Sequence, residues 1–125
     1  MAYLINLKTF SDERGRLTPI DKEIPFEIKR LYYINDIADD ANRGGHLHLI
    51  SVEAVFCVKG SFTVEINNGK KREEFFLDTP GKCVIIEPYD WHLMKGFSPD
   101  AILMGVASTH YDHSDYIHEE PEIIP

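Results

Sequence analysis

His46 and His48 stand two residues apart in Arg43-Gly44-Gly45-His46-Leu47-His48, with Glu53 and Gly60 following. In an extended strand, residues at i and i+2 share a face. Both imidazoles then point one way, and Leu47 and Leu49 the other. Two imidazoles on one wall of a concave sheet can act as metal ligands or as proton-transfer groups, because imidazole titrates near neutrality and carries a nitrogen lone pair. Gly44 and Gly45 permit close backbone approach just before the pair. Arg43 beside them can meet an anion. A His-x-His pair alone is a weak signal, so its surroundings decide.

The chain has 125 residues, 43% of them hydrophobic, and a formal net charge of −8. That length suits one domain, expected over residues 1–125. The acidic balance argues against nucleic acid or an anionic membrane as partner. An anionic small ligand would need a local arginine cluster. Arg14, Arg16, Arg30 and Arg43 all fall in the first 43 residues. No apolar run approaches the roughly 18 residues that span a bilayer. The first residues lack a basic stretch and a cleavage site, so no signal peptide is expected. Cys57 and Cys83 lie within apolar runs. They read as buried thiols of a cytoplasmic protein rather than a disulfide.

The histidines must be carried by strands. Tyr3 to Leu7 alternates, with Tyr3, Ile5 and Leu7 on one face. Asp12-Glu13-Arg14-Gly15 is a polar turn. Pro25 opens a run to Ile34 in which Phe26, Ile28, Arg30, Tyr32 and Ile34 share a face. An acidic loop, Asn35 to Asn42, precedes the histidine strand. Val52 to Lys59 is almost continuously apolar, the pattern of a strand buried on both sides. Phe62, Val64 and Ile66 alternate inward, and Asn67-Asn68-Gly69 reads as a type I′ hairpin turn back into Arg72 to Leu77. Cys83 to Glu87, Trp91 to Met94 and Ala101 to Ala107 complete the strands. The tail from His110 is expected as loop or a short helix. No segment sustains a 3.6-residue period. Many short strands with turn signals between them indicate an all-β sandwich or barrel.

The pattern His46-x-His48-x4-Glu53-x6-Gly60 matches the first motif of the cupin superfamily, implying a cupin double-stranded β-helix, or jelly roll. The second cupin motif is degraded: Glu87 and Tyr89 occupy its usual proline and glycine positions, and His92 its histidine. The sequence more closely resembles the dTDP-4-keto-6-deoxyglucose 3,4-ketoisomerase family. The resemblance rests on Ile28 to Ile34, Arg43 to His48, Cys57-Val58-Lys59-Gly60-Ser61, Trp91-His92, and Ala107 to Ile117 with its Tyr-Asp-x-Ser-Asp-Tyr-Ile ending. It runs from about Leu4 to Glu119. The chain departs from the family at Gly45 (usually aromatic), Leu49 and Ile50 (a basic pair), Glu53 (glutamine) and Leu93 (acidic).

Moving a ketone from C4 to C3 requires removal of the C3 proton, acidified by the adjacent carbonyl, and reprotonation of the enediol at C4. A base titrating near neutrality suits both steps. The resemblance implies His46 as base, His48 beside it, and Tyr32 or a water carrying protons and stabilising the enediolate. It implies Arg14, Arg16, Arg30, Arg43 and His92 as substrate contacts, no cofactor and no metal. It also implies a dTDP-sugar partner and a homodimer whose N-terminal strands exchange. The product would enter a 3-amino sugar for a cell-surface glycan, such as a lipopolysaccharide O-antigen or an S-layer glycan. Arg14 and His92 resemble the galacto-forming class.

Two other readings stay open. Glu53 restores a His46, His48, Glu53, His92 set of the kind that nitrogen- and oxygen-binding metals accept, giving a metal-dependent cupin. The third reading is a non-catalytic sugar-nucleotide binding module. Each residue also has an ordinary reading: Tyr32 as core, His92 as a partly buried histidine, Arg14 and Arg16 as an exposed turn. His110, His113 and His118 read as a solvated tail.

Overall fold

A computed structural model describes residues 1–124. It is all-β, as expected. The strands are β1 (Tyr3–Asn6), β2 (Phe10–Asp12), β3 (Gly15–Leu17), β4 (Arg30–Ile34), β5 (Arg43–His48), β6 (Glu53–Lys59), β7 (Phe62–Asn67), β8 (Arg72–Leu77), β9 (Lys82–Ile86), β10 (Trp91–Lys95), β11 (Ile102–Ala107) and β12 (Tyr116–Ile117). A 3-10 turn, His113–Asp115, interrupts the tail. Among the described residues no helix is long and apolar enough to cross a membrane.

One sheet runs β1-β9-β6-β11-β4 and the other β12-β5-β10-β7-β8, while β2 and β3 pair only with each other. The ladders are antiparallel, as a jelly roll requires. Val55, Cys57, Val84, Ile86 and Leu103 of the first sheet meet Phe62, Val64, Ile66, Leu77 and Met94 of the second in one buried cluster. Each large side chain removed from water there contributes about 1.5–3 kcal/mol.

The unbroken apolar run of β6 follows from its position. Val55 and Cys57 face the space between the sheets. Ala54 and Phe56 face outward, where Leu7, Ile24 and Phe26 of the N-terminal segment cover them. A strand covered on both faces needs no alternation. Both cysteines are buried and free, in line with the thiol reading.

Two local expectations change. Phe26 does not share the face of Tyr32. Residues 21–26 form turns and the strand begins at Arg30. Pro25 offers no N–H to a ladder, and Phe26 packs in the outer cluster instead. Nor do Asn68 and Gly69 form a type I′ turn. Asn67 pairs with Arg72, leaving a four-residue loop over 68–71. Type I′ needs two positive φ angles, and of these residues only Gly69 has one, at 86°. Asn68 accepts the backbone N–H groups of Lys70 and Lys71 at 2.9 and 3.0 Å, so its side chain closes the loop.

Candidate active site

His46 and His92 are direct cross-strand partners between β5 and β10. The register shifts after His92, where Leu93 pairs with Gly44, so Gly45 is the extra residue of a bulge. Gly44 and Gly45 take φ angles of 83° and 78°. A side chain on Gly44 would meet the His92 carbonyl at 3.0 Å. The two glycines therefore bring the histidine strand against β10 and aim His46 and His48 into the space between the sheets.

Three imidazoles converge there. Ring centroids are 5.0 Å apart for His46 and His48, 4.8 Å for His46 and His92, and 5.5 Å for His48 and His92. His92 donates through Nδ1 to the Asp90 carbonyl at 3.0 Å, which leaves Nε2 as the unprotonated nitrogen of its neutral ring. Tyr116 lies against both strand histidines, its centroid 4.7 Å from His46 and 4.6 Å from His48. Arg30 donates to the Tyr116 hydroxyl at 3.1 Å and lies 5.0 Å from the Tyr32 ring centroid. Tyr32 donates to Glu53 Oε1 at 3.0 Å. Arg30, Tyr32, Arg43, His46, Glu53, His92 and Tyr116 line a cavity of about 360 Å³.

Burial keeps the imidazoles neutral. Burial, then His118 and Arg30, push His46 down to about 4. Burial, then His46 and Arg30, take His48 to about 4. Burial, then His46 and His48, take His92 to about 3. His46 is thus an unprotonated base throughout neutral pH, and a weaker one than the near-neutral base expected from sequence. Burial raises Glu53 to about 7 against the opposing effects of Tyr32 and Arg30. Burial, then Glu53, hold the Tyr32 phenol well above its ordinary value.

Of the expected residues, the cavity collects Tyr32, Arg30, Arg43, His46 and His92, with His48 beside them. Arg14 and Arg16 are not in it. They lie on the exposed β2–β3 hairpin, where Arg14 pairs with Asp12 at 2.6 Å. Arg16 lines a different cavity, of about 560 Å³, with Thr9, Thr18, Phe56, Thr79 and Met104. That space lacks converging titratable groups, which the smaller cavity gathers.

The tail contributes what the sequence reading missed. Asp115 accepts the N–H groups of Leu49, Ile50 and Ser51 at 3.0, 2.7 and 3.2 Å, and so holds the end of the histidine strand. Its Oδ2 faces His48 Nδ1 at 3.6 Å. His118 stays exposed, as a solvated tail residue would, yet its ring centroid is 5.9 Å from that of His46. The Asp112-x-Ser114 capping pattern, in which Ser114 N–H donates to Asp112 at 3.0 Å, is the sequence signal that this tail is built rather than loose.

A cupin fold raises the question of a metal. The donor atoms of His46, His48 and His92 lie within 4.8 Å of one another. Glu53 is not among them; its Oε1 is taken by Tyr32 and its Oε2 faces His48 at 3.7 Å. The four-residue set proposed from sequence is therefore not assembled.

The chain is similar to known proteins along nearly its whole length. The family described as WxcM-like, C-terminal (FdtA) matches residues 2–124. The TDP-4-oxo-6-deoxy-alpha-D-glucose-3,4-oxoisomerase of Aneurinibacillus thermoaerophilus is 40% identical over 118 residues, covering 93% of this chain and 85% of the relative. A 3,4-ketoisomerase from Helicobacter canadensis superposes with a TM-score of 0.91 at 34% identity, covering 94% and 90%. QdtA, a sugar 3,4-ketoisomerase from Thermoanaerobacterium thermosaccharolyticum solved with TDP, gives a TM-score of 0.91 at 34% identity, covering 94% and 88%. This chain belongs to the WxcM-like FdtA family of sugar-nucleotide ketoisomerases.

Proposed function

We propose that the chain, as one domain, is an isomerase that converts dTDP-4-dehydro-6-deoxyglucose to the 3-keto isomer by proton transfer. The observation that carries this is a neutral, half-buried His46 opening into a cavity that also holds Arg30, Arg43, Tyr32 and Tyr116. A neutral imidazole removes the C3 proton as the C4 carbonyl withdraws charge. The Arg30-supported Tyr116 hydroxyl donates to the enediolate oxygen, where negative charge develops, while Tyr32, whose own proton goes to Glu53, accepts from the neighbouring enediol hydroxyl. A water carries the proton of the C3 hydroxyl to the C4 oxygen, and His46 or a water then returns a proton to C4, leaving the ketone at C3. Arg30 and Arg43 meet the dianionic pyrophosphate, which a net negative protein repels elsewhere.

His92 lies across the ladder from His46, on the same wall of the cavity, and steers the pose of the sugar toward a galacto product. Arg14 contributes from a second subunit. Phe10, Leu17, Leu31 and Tyr33 are 52%, 62%, 59% and 68% exposed, on an unpaired hairpin and on the edge strand β4. Such surface favours a homodimer that exchanges its N-terminal strands. The reaction runs in the cytoplasm, in keeping with two free thiols, and feeds deoxyamino-sugar synthesis for a surface glycan.

The test is NMR of dTDP-4-keto-6-deoxyglucose with the protein in deuterated buffer. The expected result is a 3-keto sugar carrying solvent deuterium, with an axial C4 hydroxyl. Binding without exchange would leave a sugar-nucleotide binding module. Turnover is expected to survive exhaustive chelation; loss of turnover with loss of a stoichiometric metal would favour the metal-dependent reading.

A further inference from the structure

Both ring nitrogens of His48 are buried without a hydrogen-bond partner. A buried polar atom left without a partner destabilises the fold, so the polar groups facing it matter. Glu53 Oε2 faces Nε2 at 3.7 Å, and Asp115 Oδ2 faces Nδ1 at 3.6 Å. Neither distance is a hydrogen bond, but a shift of under about 1 Å closes each one.

The donors and acceptors can be counted. Glu53 Oε1 accepts from Tyr32. Asp115 is anchored by three backbone N–H groups, so it is an acceptor toward His48. A neutral His48 facing Asp115 therefore carries its proton on Nδ1, and its Nε2 is a lone pair. Only a donor on Glu53 satisfies that lone pair.

Resting on the ketoisomerase reading, we infer that Glu53 works as a protonated carboxyl, a positioning residue that accepts from Tyr32, donates to His48 Nε2 and so locks His48 in its Nδ1–H tautomer. One wire then runs Tyr32, Glu53, His48, Asp115 with every donor directed the same way. It fixes the Tyr32 oxygen that accepts from the enediol hydroxyl and the ring that packs beside His46.

The surroundings support the proton. Glu53 is 3% exposed, and burial raises its carboxyl to about 7. The groups facing it are Tyr32 and Arg30 on β4, His46 and His48 on β5, His92 on β10, then Asp115 and Tyr116. Its ladder partners Ala107 and Ile86 bring no charge. Ionising Glu53 removes the donor and leaves a carboxylate facing each ring nitrogen, so the His48 proton no longer stays on Nδ1 and is drawn toward Nε2, which breaks the wire.

The test is 15N NMR of histidine-labelled protein without substrate, beside the pH profile of turnover. His48 is expected as Nδ1–H near pH 6 and to move toward Nε2–H by about pH 8.5, with kcat falling about tenfold per unit above the limb. In Glu53→Gln the amide N–H donates and its oxygen accepts, so His48 stays Nδ1–H and the high-pH limb near 7 disappears. His48 signals that stay still in the wild type, or the same limb in both proteins, would overturn the inference. A purely structural Glu53 would leave limb and tautomer unmoved. The wild-type titration decides even if the variant does not fold. A protein inactive on the sugar but showing the titration would fault the function and spare the Glu53 assignment.

Discussion

Gly105 lies directly opposite Tyr32 in the β4–β11 ladder, and the Tyr32 ring occupies the space that a side chain at 105 would fill. A Cβ there would sit 2.2 Å from Tyr32 Cζ and 2.4 Å from its hydroxyl. The absence of a side chain on β11 is what lets Tyr32 reach Glu53.

Gly105→Ala is therefore expected to push Tyr32 out of the cavity and break its bond to Glu53. Overpacking of this kind costs about 1–3 kcal/mol of stability. Turnover should fall by more than substrate affinity, since the enediol loses a hydrogen-bond partner. A variant with native kcat would show that Tyr32 is core only.

His46→Asn should keep the fold and nucleotide affinity and lose about 10²–10⁴-fold in turnover, the usual range for a general base. The asparagine retains a polar group of similar reach but cannot take a proton. Near-normal activity in a folded variant would remove His46 from the mechanism.

Acid should destabilise the protein in a defined window. His46, His48 and His92 bind protons at about 4, about 4 and about 3 when folded, but at 6.5 when unfolded. The unfolded chain thus binds more protons as pH falls below 6.5, so their contribution to stability is lost on acidification. Glu53 has the opposite sign: raised from 4.5 to about 7, it favours folding at low pH and loses that contribution as pH rises through the interval. Three groups outweigh one, so the melting temperature should drop between about pH 6.5 and about pH 4.5. His92→Gln should flatten that slope. An unchanged melting temperature across the window would contradict the neutral cluster.

Arg14→Ala should leave dTDP affinity nearly intact and lower turnover, provided the hairpin serves a neighbouring subunit. Mixed dimers of Arg14→Ala with His46→Asn would then regain one working site, because each intact residue meets the other across the interface. A monomer by light scattering, or no regain on mixing, would refute the shared site. The same experiment with Arg43→Ala should show no regain, since Arg43 lines the cavity of its own chain.

Period-2 alternation, glycine-marked turns and the doubly apolar β6 were enough to read an all-β fold and most strand positions from sequence. His46, His48 and Glu53 were legible because short spacing on one strand, or on the next one, fixes which face they share. Tyr32 and Arg30 were legible as one face of β4 for the same reason. Tertiary structure decided everything that depends on distant pairing. His46 meets His92 only because a bulge at Gly45 sets the β5–β10 register. Asp115 and Tyr116 reach the site only because the tail adds β12 beside β5, some 65 residues away. The role of Glu53 turned on the Tyr32 hydroxyl, which claims one of its oxygens, and Tyr32 reaches it only because residue 105 is glycine. Local periodicity assigns a face to each side chain, but closing the two sheets on one another determines which of those faces share a cavity.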